Sequence, residues 1–287
     1  MTLSLISVPF SQDQHLRGMG QAPGALRSAG LLARLAERGL RVARDVTLAD
    51  VWGEGDMLTR LGRLQAGVAD SVAQALSDGH TPVILGGDCC NAIGMWSGIA
   101  RARSNLKVGV AWFDAHGDWN TEETTLSGYI GGMPYAAICG YGNAALRRDA
   151  GLTKPAATKH CALLGARDLD PPEKALLDTT TVTVLTTEQI RQSHASALHA
   201  LAGADVLYLH FDVDVLDLNE APGVNYPAPG GLSSDEAIRI ARDLIAAKPL
   251  LAFTLSAVDP TLDASGKTVE TGMKVLLEIL ANDKRET

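Results

Sequence analysis

Long apolar runs are missing from this chain, and no uninterrupted stretch approaches the ~20 residues that a membrane-spanning helix requires. Cysteine is scarce too. Cys89, Cys90, Cys139 and Cys161 are too few to brace 287 residues as a disulfide framework. No Lys/Arg run exceeds two and the formal net charge is −8, so the basic footprint of a nucleic-acid binder is absent. The opening MTLSLISVPF has neither a cationic region nor a small-residue cleavage site, which argues against a secretory leader and for a cytoplasmic enzyme. What the chain does have is 46% hydrophobic residues, ample for a large core.

Those residues fall in short runs between helical patterns. Strands are expected at Leu3–Val8, Arg41–Val46, Pro82–Leu85, Val108–Phe113, Cys161–Leu164, Thr181–Leu185, Val206–Phe211 and Leu250–Leu255. Several are apolar on both faces, as strands buried between helix layers are. Gly24–Gly39 reads as one helix, with Leu26, Leu31, Leu32 and Leu35 at helical spacing. Ser233–Ala247 reads as another, capped by Ser233 and acidic in its first turn. The alternation predicts an α/β fold around a mostly parallel sheet, with 1–287 forming one domain. Two long polar segments, Asp114–Tyr135 and Asp212–Gly231, follow strands at the end where ligands bind in open α/β sheets.

Both segments open on carboxylates. WFDAHGDWN sets Asp114, His116 and Asp118 at alternate positions, and LHFDVDVLD repeats the pattern with His210, Asp212 and Asp214. One such group is an ordinary strand-end cap. Two groups that converge would crowd four carboxylates, which resist ionising unless a cation lies between them. Oxygen-rich sites with an imidazole or two suit Mn²⁺-like ions, and a pair of such ions can activate water. Other chemistries fail on inspection. A calcium loop beginning at Asp212 would need acids at Leu216 and Gly223. No phosphate-binding G-x-x-x-x-G-K-[ST] occurs, Gly140–Ala145 lacks the third glycine of a dinucleotide loop, and no G-x-S-x-G elbow is present.

The stretches GGDCC, DAHGD and DVDVLD…APG resemble the three metal-binding motifs of the ureohydrolase family, which contains arginase and agmatinase. APGALRSAGLLARL and VDPTLD resemble it as well, so the likeness spans nearly the whole chain. The resemblance implies a three-layer α/β/α fold with a central eight-stranded sheet. It also implies two Mn²⁺ ions bridged by a hydroxide that attacks a guanidino carbon. By position it makes Asp114, His116, Asp118, Asp212 and Asp214 metal ligands, and puts Cys89 where the family has a histidine ligand. A thiolate there would make the pair a weaker Lewis acid and suit Zn²⁺ or Fe²⁺ as well as Mn²⁺. Cys90 falls at a serine of the motif and reads as a packed small residue.

Further likenesses and departures divide the substrate into two ends. Asn120, Thr125 and Ser127 match positions that hold an α-carboxylate in arginase, and Asp170 one that holds the α-amino group. Gly131, in SGYIGGMP, stands where arginase has a proton-shuttling histidine. Ala257, in SAVDP, stands where it has a guanidinium-binding glutamate. Asp118 and His210 are the candidate catalytic groups. His210 either supplies the missing imidazole or is a satisfied buried histidine. The cysteine and the GYxGGM loop are similar to the hydroxyarginine amidinohydrolase branch. The expected function is therefore hydrolysis of the guanidino or amidino group of an arginine-like amino acid such as Nω-hydroxy-L-arginine, in a homo-oligomer (trimer or hexamer, by the family's habit). The competing reading is a catalytically impaired homologue that binds a small molecule or a partner subunit.

Overall fold

All eight apolar runs become strands of one sheet. The computed structural model of the chain describes residues 1–48 and 54–281. Its strands are β1 (Thr2–Ser7), β2 (Phe10–Ser11), β3 (Gln14–His15), β4 (Arg41–Thr47), β5 (Thr81–Leu85), β6 (Val108–Phe113), β7 (Cys161–Ala166), β8 (Thr183–Thr186), β9 (Val206–Asp212) and β10 (Leu250–Ser256). The main sheet runs β4-β1-β5-β10-β9-β6-β7-β8, and every neighbouring pair is parallel. β2 and β3 form a separate antiparallel hairpin that the sequence reading did not foresee.

Successive strand residues point to opposite faces, so each strand feeds two cores. Leu3, Leu5, Phe113, Leu209 and Phe253 lie in the core on one face; Ile6, Ile84, Val110, Trp112 and Tyr208 lie in the core on the other. Helices cover both, giving the three-layer α/β/α arrangement. Among the described residues no helix is long and apolar enough to cross a membrane.

One helix expectation needs correction. Gly24–Gly39 is two helices, Ala22–Ser28 and Leu31–Glu37, parted at Gly30 with φ +88. Gly30 adopts this left-handed conformation without steric cost. The break turns Leu32 to solvent while Leu26, Leu31 and Leu35 stay buried. The helix Ser234–Ala247 forms as read: Ser233 Oγ accepts from Glu236 N at 3.2 Å, and Ser233 N donates to the Glu236 carboxylate at 2.8 Å.

β5, β10, β9 and β6 are adjacent at the centre of the sheet, so the loops leaving their carboxyl ends converge. Register decides which side chains meet. Thr254, His210 and Trp112 form one row across β10, β9 and β6, and Ser256 pairs with Asp212 in the next row.

Candidate metal and substrate site

The carboxylates meet because of turns rather than strand alternation. β6 ends at Phe113, and Asp114 Oδ1 then accepts from His116 N at 2.7 Å, an aspartate turn that folds the chain back on itself. Asp118 follows with φ +47, a left-handed conformation in which aspartate is one of the few tolerated residues. The second segment repeats the device: Asp212 Oδ1 accepts from Asp214 N at 2.7 Å as a 3-10 turn begins. Asp214 Oδ1 then accepts from Ala115 N at 3.0 Å and ties the two loops together. Arg167 clamps the second loop from behind, donating to the carbonyls of Asp214 at 2.6 Å and Ala228 at 2.9 Å.

Cys89 enters from the third loop. Gly87 allows this loop to pass, since a Cβ there would lie 1.7 Å from the carbonyl oxygen of Phe10 in the hairpin. The Cys89 thiol donates to Asp212 Oδ2 at 2.9 Å and lies 3.3 Å from His210 Nε2 and 3.4 Å from Ser256 Oγ. Cys90 sits at the start of the helix Asn91–Ala102, fully buried, with its N–H donating to Asp88 Oδ1 at 3.0 Å. All four cysteines are free thiols, so Cys89 and Cys90 form no vicinal disulfide.

His210 is completely buried behind Cys89 and does not line the cavity described below. Its ring stacks on Trp112 at 3.7 Å between centroids, and Nδ1 is 3.2 Å from the Tyr208 hydroxyl. Burial lowers its pKa to about 3, so the imidazole is neutral. The structure thus gives His210 the satisfied contacts of a buried histidine and, at the same time, a nitrogen facing the Cys89 sulfur.

Two overlapping donor groups result. Cys89, Asp114 and His210 offer ligand atoms within 4.8 Å of one another, as do Asp114, His116 and Asp214. Asp114 belongs to both. Asp118 Oδ2 is buried without a hydrogen-bond partner, a costly state for a carboxylate oxygen unless something not hydrogen-bonded meets it.

The electrostatics point the same way. Burial, then Asp214, pushes Asp114 up to about 6. Burial followed by neighbouring carboxylates raises Asp118 and Asp212 further. Burial also opposes the charge on Asp214, but the His116 imidazole at 2.9 Å outweighs it and holds that carboxyl below its usual range. Burial likewise works against a charged His116, yet Asp214 and Asp114 prevail and raise it to about 12. A buried donor set of carboxylates, imidazole and thiol fits divalent cations, and these residues are the ones that would hold them.

A cavity of about 490 Å³ opens above this floor. Cys89, His116, Asp118, Asp212 and Asp214 line it, as do Asn120, Ser127 and Asp170 on the outer wall. Asn120 Nδ2 donates to Asp170 Oδ2 at 3.1 Å, which joins two of the expected amino-acid contacts. Thr125 is not part of the wall; its Oγ1 accepts from Gly128 N at 2.9 Å and shapes the loop instead. Gly131 and Ala257 line the cavity, and Ala257 is held at φ +62 while its N–H donates to the carbonyl of Gly87 at 2.7 Å.

Several lining residues escaped the sequence reading. Glu173 accepts from the backbone N–H groups of Trp119 at 2.8 Å and Asp170 at 3.1 Å, and burial raises it to about 7. The DPPE stretch, with a glutamate three residues after Asp170 at a helix start, was the available signal. Tyr129, Tyr226 and Asp88 also face the cavity. For the two tyrosines, aromatic residues inside long polar loops were the only hint.

Residues 1–281 match the profile described as the arginase family. Arginase of Bacillus caldovelox is 33% identical over 96% of each chain. The crystal structure of arginase from Bacillus subtilis superposes with a TM-score of 0.88 at 33% identity, covering 98% of both chains. Formimidoylglutamase from Bacillus subtilis is more distant, with a TM-score of 0.76 at 26% identity over 98% of this chain and 86% of that one.

Proposed function

As the chain belongs to the arginase family, whose members hydrolyse C–N bonds of guanidino and amidino groups, we propose that it is a dinuclear metal-dependent hydrolase of a modified arginine, Nω-hydroxy-L-arginine being the type. The observation that carries this reading is the shared floor and wall of one cavity. Buried donors crowd beneath it, and polar groups suited to an amino acid stand above it. The proposed ligand set is Cys89, Asp114, His116, Asp118, Asp212 and Asp214, with Mn²⁺ the first choice of ion and Zn²⁺ or Fe²⁺ suited to the sulfur. When bound, the cations supply the positive charge that makes an attacking water acidic enough to ionise near neutral pH.

The protein's own residues then do the rest. Asn120, Ser127 and Asp170 hold the α-carboxylate and α-amino end, with Glu173 beside Asp170 adding a second acceptor for the ammonium. At the other end Ala257 brings no carboxylate to the guanidino group. A hydroxylated guanidine is less basic than arginine's, so it loses less where a counter-charge is lacking. Asp118 lines the cavity, where it would act as a ligand and would be placed to accept a proton from an attacking water. His210, neutral and outside the cavity, orients Cys89 rather than exchanging protons with substrate.

The test is product release by Mn²⁺-loaded protein from hydroxyarginine, arginine and agmatine. Urea or hydroxyurea should appear from the amino acids, and agmatine, which has no carboxylate, should be the slowest. Faster turnover of agmatine would contradict the amino-acid clamp. No metal-dependent release from any of the three would favour a homologue that only binds.

A further inference from the structure

Tyr129 stands where its own loop leaves a deliberate gap. A Cβ built on Gly131 would lie 2.2 Å from Tyr129 Cε1 and 2.6 Å from its hydroxyl oxygen. The phenol therefore occupies the volume in which any side chain at position 131 would begin, and glycine at 131 is the residue that permits it. Hydrogen bonds hold the backbone at Tyr129: its N–H donates to Ser127 Oγ at 3.2 Å, and Gly132 N donates to its carbonyl at 3.2 Å. Tyr226 from the other long loop meets the Tyr129 ring at 5.1 Å and meets His116 edge-on at 6.3 Å. Two phenols from two loops thus line the same cavity as Cys89 and Ala257.

We propose that Tyr129 is the residue that selects for a hydroxylated guanidine, its phenol hydrogen-bonding the N-hydroxyl group of the substrate. This rests on the hydrolase reading above. A guanidinium offers only N–H donors and a charge, and the phenol balances no charge. An N-hydroxyl oxygen both donates and accepts, which matches a phenol on both counts. Burial, reinforced by Asp88 and the two cysteine sulfurs, raises the Tyr129 pKa and keeps its proton available to donate. Sites built to bond a substrate hydroxyl discriminate strongly against analogues without it, because the site's own polar group is left unpaired.

The experiment compares wild type with Tyr129→Phe and Gly131→Ala, all Mn²⁺-loaded, by kcat/KM and by equilibrium binding of hydroxyarginine, arginine and ornithine. Tyr129→Phe keeps the ring and so the fold. It should lower kcat/KM and affinity for hydroxyarginine by about tenfold while leaving arginine and ornithine within about twofold. Gly131→Ala should displace the ring and erode the same preference. In the double variant, where the hydroxyl is already gone, the alanine should have little further effect on selectivity. Equal binding of hydroxyarginine by wild type and Tyr129→Phe, or a loss shared equally with ornithine, overturns the assignment of Tyr129 alone. Absence of hydroxyarginine binding by the wild type overturns this assignment and the substrate reading together, while metal-dependent turnover of arginine would leave the hydrolase reading standing.

Discussion

Cys89 changes what the cluster needs from its neighbours. As a thiol it donates to Asp212; as a ligand it would be a thiolate among carboxylates. Cys89→His should tighten Mn²⁺ binding and move the pH–rate profile to lower pH, because one negative charge leaves the cluster. Metal titration and the profile check this. Cys90→Ser should leave both unchanged, since that side chain is packed in the core. The reverse pattern would mean that the wrong cysteine has been assigned. His210 gives a separate prediction. If its Nε2 orients the sulfur, His210→Ala should weaken metal affinity roughly 10-fold or more and lower activity only in step with metal occupancy. A variant that keeps its metal but loses kcat would make His210 a proton carrier after all.

At the scale of elements, three loops at the ends of β5, β6 and β9 must arrive together. The tightest point is Gly87 against the Phe10 carbonyl. Gly87→Ala should cost about 1–3 kcal/mol through forced backbone shifts, read as a lower Tm, with metal binding impaired as Cys89 is pushed aside. Ser233→Ala, at the cap of a helix far from the cavity floor, should cost about 0.5–2 kcal/mol with kinetics unchanged. The strands were legible because buried apolar runs such as Val206–Phe211 carry their own signal. The break at Gly30 was not, since the leucine spacing on either side continues through it. In the site, the paired acids announced themselves, but their convergence comes from aspartate turns that strand alternation does not describe. The Tyr129 ring over Gly131 could not be read at all, because packing between residues two apart depends on how the loop is folded.

For the molecule as a whole, the acidic floor ties stability to pH and metal. Asp114 has its pKa raised from 3.8 to about 6, so the metal-free native state holds more protons than the unfolded chain across that range. That contribution is fully present below about 3.8 and is lost as pH rises through about 6. His116, raised from 6.5 to about 12, contributes fully below 6.5 and progressively less above it. Metal-free protein should therefore weaken from mildly acid toward alkaline pH, and divalent cations should replace the lost positive charge. The rise in Tm on adding Mn²⁺ should be larger at pH 8 than at pH 5. A rise that is equal at both, or larger at pH 5, would show that these residues are not where the ion binds.

On the proposed reading, Cys89, Gly131 and Ala257 alter the reactive end of a guanidino-hydrolysing site, Tyr129 sets its preference for a hydroxylated group, and the amino-acid end is retained. Direct competition tests it: one Mn²⁺-loaded preparation, equal concentrations of arginine and Nω-hydroxyarginine, and hydroxyurea and urea measured in the same samples. Hydroxyurea should be in excess. Urea in excess would overturn the proposed preference for the hydroxylated substrate.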